Sequence, residues 1–147
     1  SNKNGSLKSS LGFYLTGTTY QGRNGYSLIL DGLEKGVNDQ ARSRAIVVHG
    51  ADYANPEVAK SGRLGRSFGC PALPRALTRP IIDAIKGGSV LFIYAEKQDY
   101  LAQSSILHSH NHDIPTLRLP PKPLRSYSNG PNISPHIIIF RILATYN

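Results

Sequence analysis

The sequence Arg66-Ser67-Phe68-Gly69-Cys70-Pro71 contains the only cysteine among the 147 residues of the chain. Twenty-one residues before Cys70, the apolar run Ala45-Ile46-Val47-Val48 ends in His49-Gly50. A short continuous apolar run predicts a buried central strand, and strand ends are rigid positions where catalytic groups are commonly found. His49 is also the only histidine among the first 107 residues. A single thiol and a single imidazole placed in this way indicate a nucleophile and its base.

The segments on either side of this pair predict a mainly β fold with short helices (α+β). The β-branched and aromatic residues of 11–20 and 26–30 predict two strands, and Asn24-Gly25 between them is a strong hairpin signal. Residues 89–95 form the clearest strand, and 137–140 predict a last one. The remaining expectations are a polar surface loop over 33–44, one helical turn beginning at Asn55-Pro56, and a helix over 73–84 with Thr78 as its cap.

The composition predicts one globular domain with a soft boundary near residue 100. We expect a flexible lead-in over 1–10, a catalytic domain over 11–100 and an irregular extension over 101–147, which holds four of the five histidines and six of the ten prolines. No stretch approaches the roughly 18 apolar residues of a membrane span. No signal peptide is visible, but the chain does not begin with Met, so a signal could have been lost.

The formal net charge of +8 is scattered along the chain. A nucleic-acid-binding protein more often shows a dense basic stripe with aromatic residues interleaved, so nucleic acid is not predicted as a partner. Diffuse positive charge better suits attraction to a polyanionic surface such as a cell wall or a membrane face. An ordinary basic surface remains an equally good interpretation.

The residues around the thiol suit nucleophilic catalysis. Gly69 lets the chain turn sharply, so that the N–H groups of Gly69 and Cys70 can point at one spot and form an oxyanion hole. His49 would accept the thiol proton on one ring nitrogen, and the carbonyl of Gly50 could orient the ring through the other. The alternative is a structural site, because a free cysteine is often buried and a histidine after a strand can simply be hydrogen-bonded.

The spacing of these residues resembles a known family. His49-Gly50 and Ser67-Phe68-Gly69-Cys70, with seventeen residues between His49 and Ser67, resemble the signature of the L,D-transpeptidases, the YkuD-like catalytic domains. The resemblance to murein L,D-transpeptidase catalytic domain proteins extends to three longer segments and covers about residues 11–100. These segments are Ser27-Leu-Ile-Leu-Asp-Gly-Leu-Glu, Ala41-Arg-Ser-Arg-Ala-Ile-Val-Val-His-Gly-Ala-Asp and Gly65-Arg-Ser-Phe-Gly-Cys-Pro-Ala.

The resemblance implies an L,D-transpeptidase-like β-sandwich with Cys70 as nucleophile, His49 as base and the Gly50 carbonyl as its partner. It also implies an oxyanion hole formed by the N–H groups of Phe68, Gly69 and Cys70. The implied reaction is acyl transfer on peptidoglycan stem peptides through a thioester, giving a cross-link, or L,D-carboxypeptidase activity when water is the acceptor. Carbapenem-type β-lactams are the implied acylating inhibitors, no cofactor or metal is needed, and the implied location is the periplasm or cell wall.

The sequence departs from the family pattern at two places. Phe68 stands where many members have a second histidine, and Pro71-Ala72 replaces an apolar residue followed by Asn or Arg. We therefore assign substrate-binding roles to other residues near the thiol, namely Arg66, Ser67, Tyr53 and Arg63. The alternative function is a non-catalytic, basic cell-wall-binding domain with a buried structural cysteine.

The histidines His108, His110 and His112 point the same way if the chain is extended, and with Asp113 they could bind a metal ion. An irregular segment lacks the fixed surroundings that such sites need, so we do not predict a metal site.

Overall fold

A computed structural model describes residues 1–60, 65 and 67–109 and the backbone of 137–141. It contains six strands and three short helices in these ranges. The strands are β1 (Gly12–Gly22), β2 (Gly25–Gly32), β3 (Val47–Gly50), β4 (Ala72–Leu73), β5 (Val90–Tyr94) and β6 (Ile137–Arg141). The helices are α1 (Pro56–Lys60), α2 (Arg75–Ile85) and α3 (Gln98–Gln103).

The described strands form one sheet in the order β4-β3-β2-β1-β5-β6, which curls into a half-barrel. The central pairs are antiparallel, whereas β3 with β4 and β5 with β6 are parallel. This confirms the prediction of a mainly β fold with short helices. The domain boundaries at residues 10 and 100 stay predictions.

The β1–β2 hairpin follows the turn signal in the sequence. Gly22 pairs with Gly25 across the two-residue connection Arg23-Asn24, and Gly25 has a φ of +80°. The left-handed conformation that the hairpin needs therefore falls on a glycine, where it carries no steric cost. The register shifts between Thr16 and Thr19, which indicates a bulge around Gly17.

The core lies between one face of the sheet and α2. Leu28 and Val48 are paired and fully buried, and Ile82 and Ile85 of α2 are buried in the same cluster. The Thr16 hydroxyl donates to the carbonyl of Ile85 at 2.6 Å, so the end of the helix is also fixed to β1. The prediction that Thr78 caps this helix is wrong. The helix begins at Arg75, and the Thr78 hydroxyl donates back to the Pro74 carbonyl one turn earlier, at 3.0 Å.

The segment from Leu33 to Arg44 is not simply the surface loop that its polarity suggested. Glu34 and Asn38 are almost completely buried. The Asn38 side chain accepts from the Glu34 N–H and donates to the carbonyls of Leu11 and Phe13. The Glu34 carboxylate accepts hydrogen bonds from Phe13, Tyr100 and Ser104. Burial raises the pKa of the Tyr100 hydroxyl to about 12, so it stays protonated as a donor.

This network joins the loop before β3 to β1 and to α3. Because these hydrogen bonds join buried or partly buried groups, the network replaces hydrogen bonds to water with hydrogen bonds inside the protein. The loop then ends at Ala45, which has a φ of +54° although it is not a glycine. The N–H of Ile46 bonds to Ala41, so the chain leaves the loop through one left-handed residue directly before β3.

Within the described residues, no helix is long and apolar enough to cross a membrane.

We predict that Asn38→Ala lowers the free energy of unfolding by about 2–4 kcal/mol, because it leaves the Glu34 N–H without its acceptor and removes one donor each from the Leu11 and Phe13 carbonyls. Urea unfolding followed by circular dichroism measures this loss. Lys35→Ala is the matched control, since Lys35 is exposed on the same loop, and it should change the value by less than about 0.5 kcal/mol. A loss for Asn38→Ala as small as that of the control would contradict the role of the network.

We predict that Ala45→Gly raises the free energy of unfolding by about 0.5–1 kcal/mol, because glycine adopts a φ of +54° without the steric cost that alanine has. The same change at Ala54, whose φ is not positive, should lower stability by a similar amount. Thermal unfolding of the two variants beside the wild type gives the comparison. Equal destabilisation by both changes would show that the conformation of Ala45 is not strained.

Candidate active site

The backbone of β3 places His49 beside the segment that follows Cys70. His49 pairs with Ala72 of β4 in a parallel ladder, and the N–H of His49 donates to the Pro71 carbonyl at 3.2 Å. Neighbouring strands of a sheet lie about 4.8 Å apart, so Cys70 and His49 come from adjacent backbone segments. The structure thus places the His49 backbone next to the segment that directly follows Cys70, although the two residues are twenty-one positions apart in the sequence.

His49 has a fixed ring orientation. Its side chain is buried, and Nδ1 lies 3.0 Å from the carbonyl oxygen of Gly50. A carbonyl oxygen can only accept, so Nδ1 carries the proton, and Nε2 of the neutral ring is the nitrogen that can take up another. Gly50 is held in turn by α2, because a Cβ built on it would lie 2.5 Å from the Thr78 hydroxyl oxygen. The predicted contact between the His49 ring and the Gly50 carbonyl is therefore present, whereas a catalytic role for it stays a prediction.

Cys70 is a free, half-buried cysteine that packs against the edge of the core. Its Sγ lies 3.7 Å from the carbonyl oxygen of Ala45, to which the thiol donates a weak hydrogen bond. Burial raises the pKa of the thiol above its usual value, although the Val47 N–H and the positive charge of Arg44 act in the opposite direction. In the described residues, the Sγ atom is therefore bonded to the Ala45 carbonyl, and burial favours the protonated form of the thiol.

The turn before Cys70 contains a glycine in the left-handed conformation. Gly69 is buried with a φ of +104°, which favours glycine, and the Phe68 side chain is 74% exposed. Among the described residues, the N–H groups of Phe68, Gly69 and Cys70 have no backbone acceptor. The oxyanion hole expected from these three N–H groups stays a prediction.

Of the four residues predicted to bind substrate, the structure describes Ser67 and Tyr53. The Ser67 hydroxyl donates to the Cys70 carbonyl at 2.5 Å, and the Ser67 and Tyr53 side chains are also hydrogen-bonded. Burial raises the pKa of Tyr53, and the neighbouring Cys70 adds to that rise. Ser67 and Tyr53 thus lie at the thiol and support the turn. Arg63 and Arg66 lie outside the described residues.

The histidines considered as metal ligands are not brought together in the part that the structure describes. His108 is present, and its Nδ1 lies 2.8 Å from the Ser104 carbonyl oxygen. His110, His112 and Asp113 lie outside the described residues. Among residues 1–60, 65, 67–109 and 137–141, no group of three or more histidine, cysteine or acidic residues could hold a metal ion.

Sequence reasoning missed a basic pocket beside β3. A pocket of about 200 Å³ lies between the β1–β2 hairpin and α2, and the Arg79 guanidinium lies 4.4 Å from the centre of the Tyr26 ring. Arg75, which forms an ion pair with Asp52, also lines it. A signal was available, because Arg75 and Arg79 are one helical turn apart. The full lining consists of Asn24, Gly25, Tyr26, Arg75, Thr78 and Arg79.

Two further residues near the thiol also escaped the sequence analysis. Ala45 accepts the thiol hydrogen bond through its backbone, which no side-chain pattern can signal. Arg44 is one of seventeen basic residues, and only the structure shows that its charge acts on Cys70.

Comparison with known proteins agrees with the site. No curated protein and no solved structure matches the chain significantly. Residues 1–94 match a protein family described as the L,D-transpeptidase catalytic domain. This range contains β1–β5, His49, Gly50 and the whole Cys70 turn, and it is more than half of the sequence. The chain therefore belongs to the L,D-transpeptidase catalytic domain family.

Proposed function

We propose that this protein is a cysteine-dependent acyltransferase that acts on peptidoglycan stem peptides through a thioester on Cys70. Membership of the L,D-transpeptidase family supports the reaction class. When an amine is the acceptor the product is a cross-link, and when water is the acceptor the result is L,D-carboxypeptidase activity. Because its substrate lies in the cell wall, the protein would work outside the cytoplasm, in the periplasm or the wall.

One observation supports the proposal most strongly. The His49 ring bonds to the Gly50 carbonyl through Nδ1, while the His49 backbone is joined to the residue after Cys70. The imidazole is thus held in the tautomer that a base needs, on the strand next to the nucleophile.

The proposed reaction begins when the sulfur leaves the Ala45 carbonyl and its proton passes to Nε2 of His49. The thiolate attacks the carbonyl carbon before the terminal D-amino acid, and the negative charge that develops on the oxygen is stabilised by the N–H groups of Phe68, Gly69 and Cys70. The C–N bond breaks, the leaving amine takes the proton from His49, and a thioester remains.

The second half of the reaction regenerates the enzyme. An acceptor amine loses a proton to His49 and attacks the thioester carbonyl, the C–S bond breaks, and the sulfur recovers the proton. The chemistry needs no redox partner, because each step exchanges one acyl bond for another. The net charge of +8 would favour association with an anionic wall.

A second candidate, a non-catalytic wall-binding domain, is favoured by one specific observation. Burial raises the pKa of Cys70, whereas many catalytic cysteines have a lowered pKa. In this alternative the thiol would only fill space at the edge of the core. The two functions differ in whether an acylating reagent reacts with Cys70.

We predict that a carbapenem adds its full mass to the wild-type protein, because opening of the β-lactam ring by the thiol expels no fragment. Cys70→Ser should give no stable adduct, and His49→Ala should slow adduct formation at least about a hundredfold, which is typical for loss of a general base. Intact-protein mass spectrometry over time measures both rates.

His108→Ala is the matched control, because it removes a histidine whose contact is with Ser104, away from the thiol, and it should acylate at the wild-type rate. If the folded wild type forms no adduct and its thiol is also inert to small alkylating agents, the wall-binding alternative replaces the proposal. An adduct that persists in Cys70→Ser would place the nucleophile elsewhere.

A further inference from the structure

The N-terminal segment, residues 1–10, is bonded to the rest of the protein through Asn2, Ser10 and, most extensively, Arg44. Nη1 of Arg44 donates to the Ser1 carbonyl at 2.6 Å and to the Ser10 hydroxyl at 2.9 Å. Nη2 donates to the Ser6 hydroxyl at 3.2 Å and to the Lys8 carbonyl at 2.8 Å. These four bonds use both terminal nitrogens of the planar guanidinium, an arrangement that a lysine ammonium cannot reproduce.

The same segment lies against the turn that carries the nucleophile. A Cβ built on Gly69 would lie 2.9 Å from the Lys8 carbonyl oxygen and 3.3 Å from Cδ1 of Ile46. The Lys8 carbonyl therefore accepts a hydrogen bond from Arg44 and also lies close to Gly69, where it leaves no room for a side chain. The Gly69 backbone is one of the proposed oxyanion donors, so its position depends on a contact with the N-terminal segment.

Arg44 is connected to the thiol by a second route through its own backbone. The next residue is Ala45, whose carbonyl accepts the Cys70 hydrogen bond and whose φ of +54° aims that carbonyl. The side chain of Arg44 thus contacts the segment over Gly69, while its main chain leads directly to the acceptor of the thiol.

We infer that Arg44 is a positioning residue of the Cys70 site: its guanidinium ties residues 1–10 against Gly69 and so holds the turn that carries Cys70. The inference rests on the proposed function for its significance, since a positioned nucleophile matters only if acyl transfer takes place. Its physical content, the geometry and charge around the thiol, can be measured separately.

The positive charge of Arg44 acts on the pKa of the Cys70 thiol in a known direction. A cation near the sulfur favours the thiolate, and Arg44 lowers the pKa of Cys70 against the larger, opposite effect of burial. The other titratable groups of this region are His49 on β3, Tyr53, whose pKa is raised partly by Cys70, and Lys8 and the Ser1 amine, which lie near Arg44. Loss of the Arg44 charge should therefore raise the pKa of the thiol, while His49 and Tyr53 remain as they are.

The experiment compares Arg44→Gln, which removes the charge, with Arg44→Lys, which keeps the charge but cannot form the four bonds. The rate of Cys70 alkylation by iodoacetamide, in which the thiolate sulfur displaces iodide, is measured from pH 6 to pH 10. We expect Arg44→Gln to move the midpoint of this profile upward and to slow alkylation at pH 7 by about threefold to tenfold. Arg44→Lys should leave the midpoint near that of the wild type.

Carbapenem acylation tests the positioning part in the same variants. We expect both Arg44→Lys and Arg44→Gln to acylate at least about fivefold more slowly than the wild type, because the turn over Gly69 is no longer held. Arg42→Gln is the matched control. Arg42 is two residues away from Arg44, is exposed and forms an ion pair with Asp31. In Arg42→Gln, both the midpoint of the alkylation profile and the rate of acylation should equal those of the wild type.

The inference is overturned if Arg44→Lys is acylated at the wild-type rate. It is also overturned if folded Arg44→Gln has the same alkylation midpoint as the wild type, since a purely structural anchor would not move the pH profile. Arg44→Lys covers the case in which Arg44→Gln does not fold. Failure of the proposed function looks different: the wild type itself would then form no carbapenem adduct, while the alkylation midpoints could still differ between variants.

Discussion

The parallel pairing of β3 with the two residues of β4 is the constraint on which the rest of the site depends. One backbone bond, from His49 to the Pro71 carbonyl, fixes the register of Cys70 relative to the imidazole. A shift of one residue would turn the His49 side chain to the other face of the sheet, which α2 covers through the Gly50–Thr78 contact. The small size of Gly50 and the short length of β4 are thus consequences of the same requirement.

Much of the fold could be predicted from local patterns. Alternation and β-branching located β1, β2 and β5, and Asn24-Gly25 located their first turn, because these signals are properties of neighbouring residues. The segment around Glu34 was misinterpreted because its partners, Tyr100 and Ser104, are about seventy positions away. A buried carboxylate looks like a surface residue in sequence until its distant donors are known.

The site divides in the same way. The cysteine and histidine were found because each is rare in this chain, and the Gly50 carbonyl because it is adjacent to the histidine. Ala45, which accepts the hydrogen bond of the thiol, was not predictable. It acts through its backbone carbonyl, and its left-handed φ cannot be inferred from an alanine in the sequence. Arg44 was not predictable either, because in sequence it is one basic residue among many.

These missed residues bear on a difficulty that the site must solve. Burial favours the protonated thiol, and the weak bond to the Ala45 carbonyl favours that form as well. In the proposed reaction, a substrate that enters beside the turn displaces the sulfur from Ala45. The Val47 N–H and the Arg44 charge then favour the thiolate, while the His49 ring would take the proton. Activation would thus follow from a short movement of the sulfur between two existing environments, with no rearrangement of the sheet. A raised pKa in the resting state is therefore compatible with a catalytic cysteine, provided that the imidazole stays fixed on the next strand.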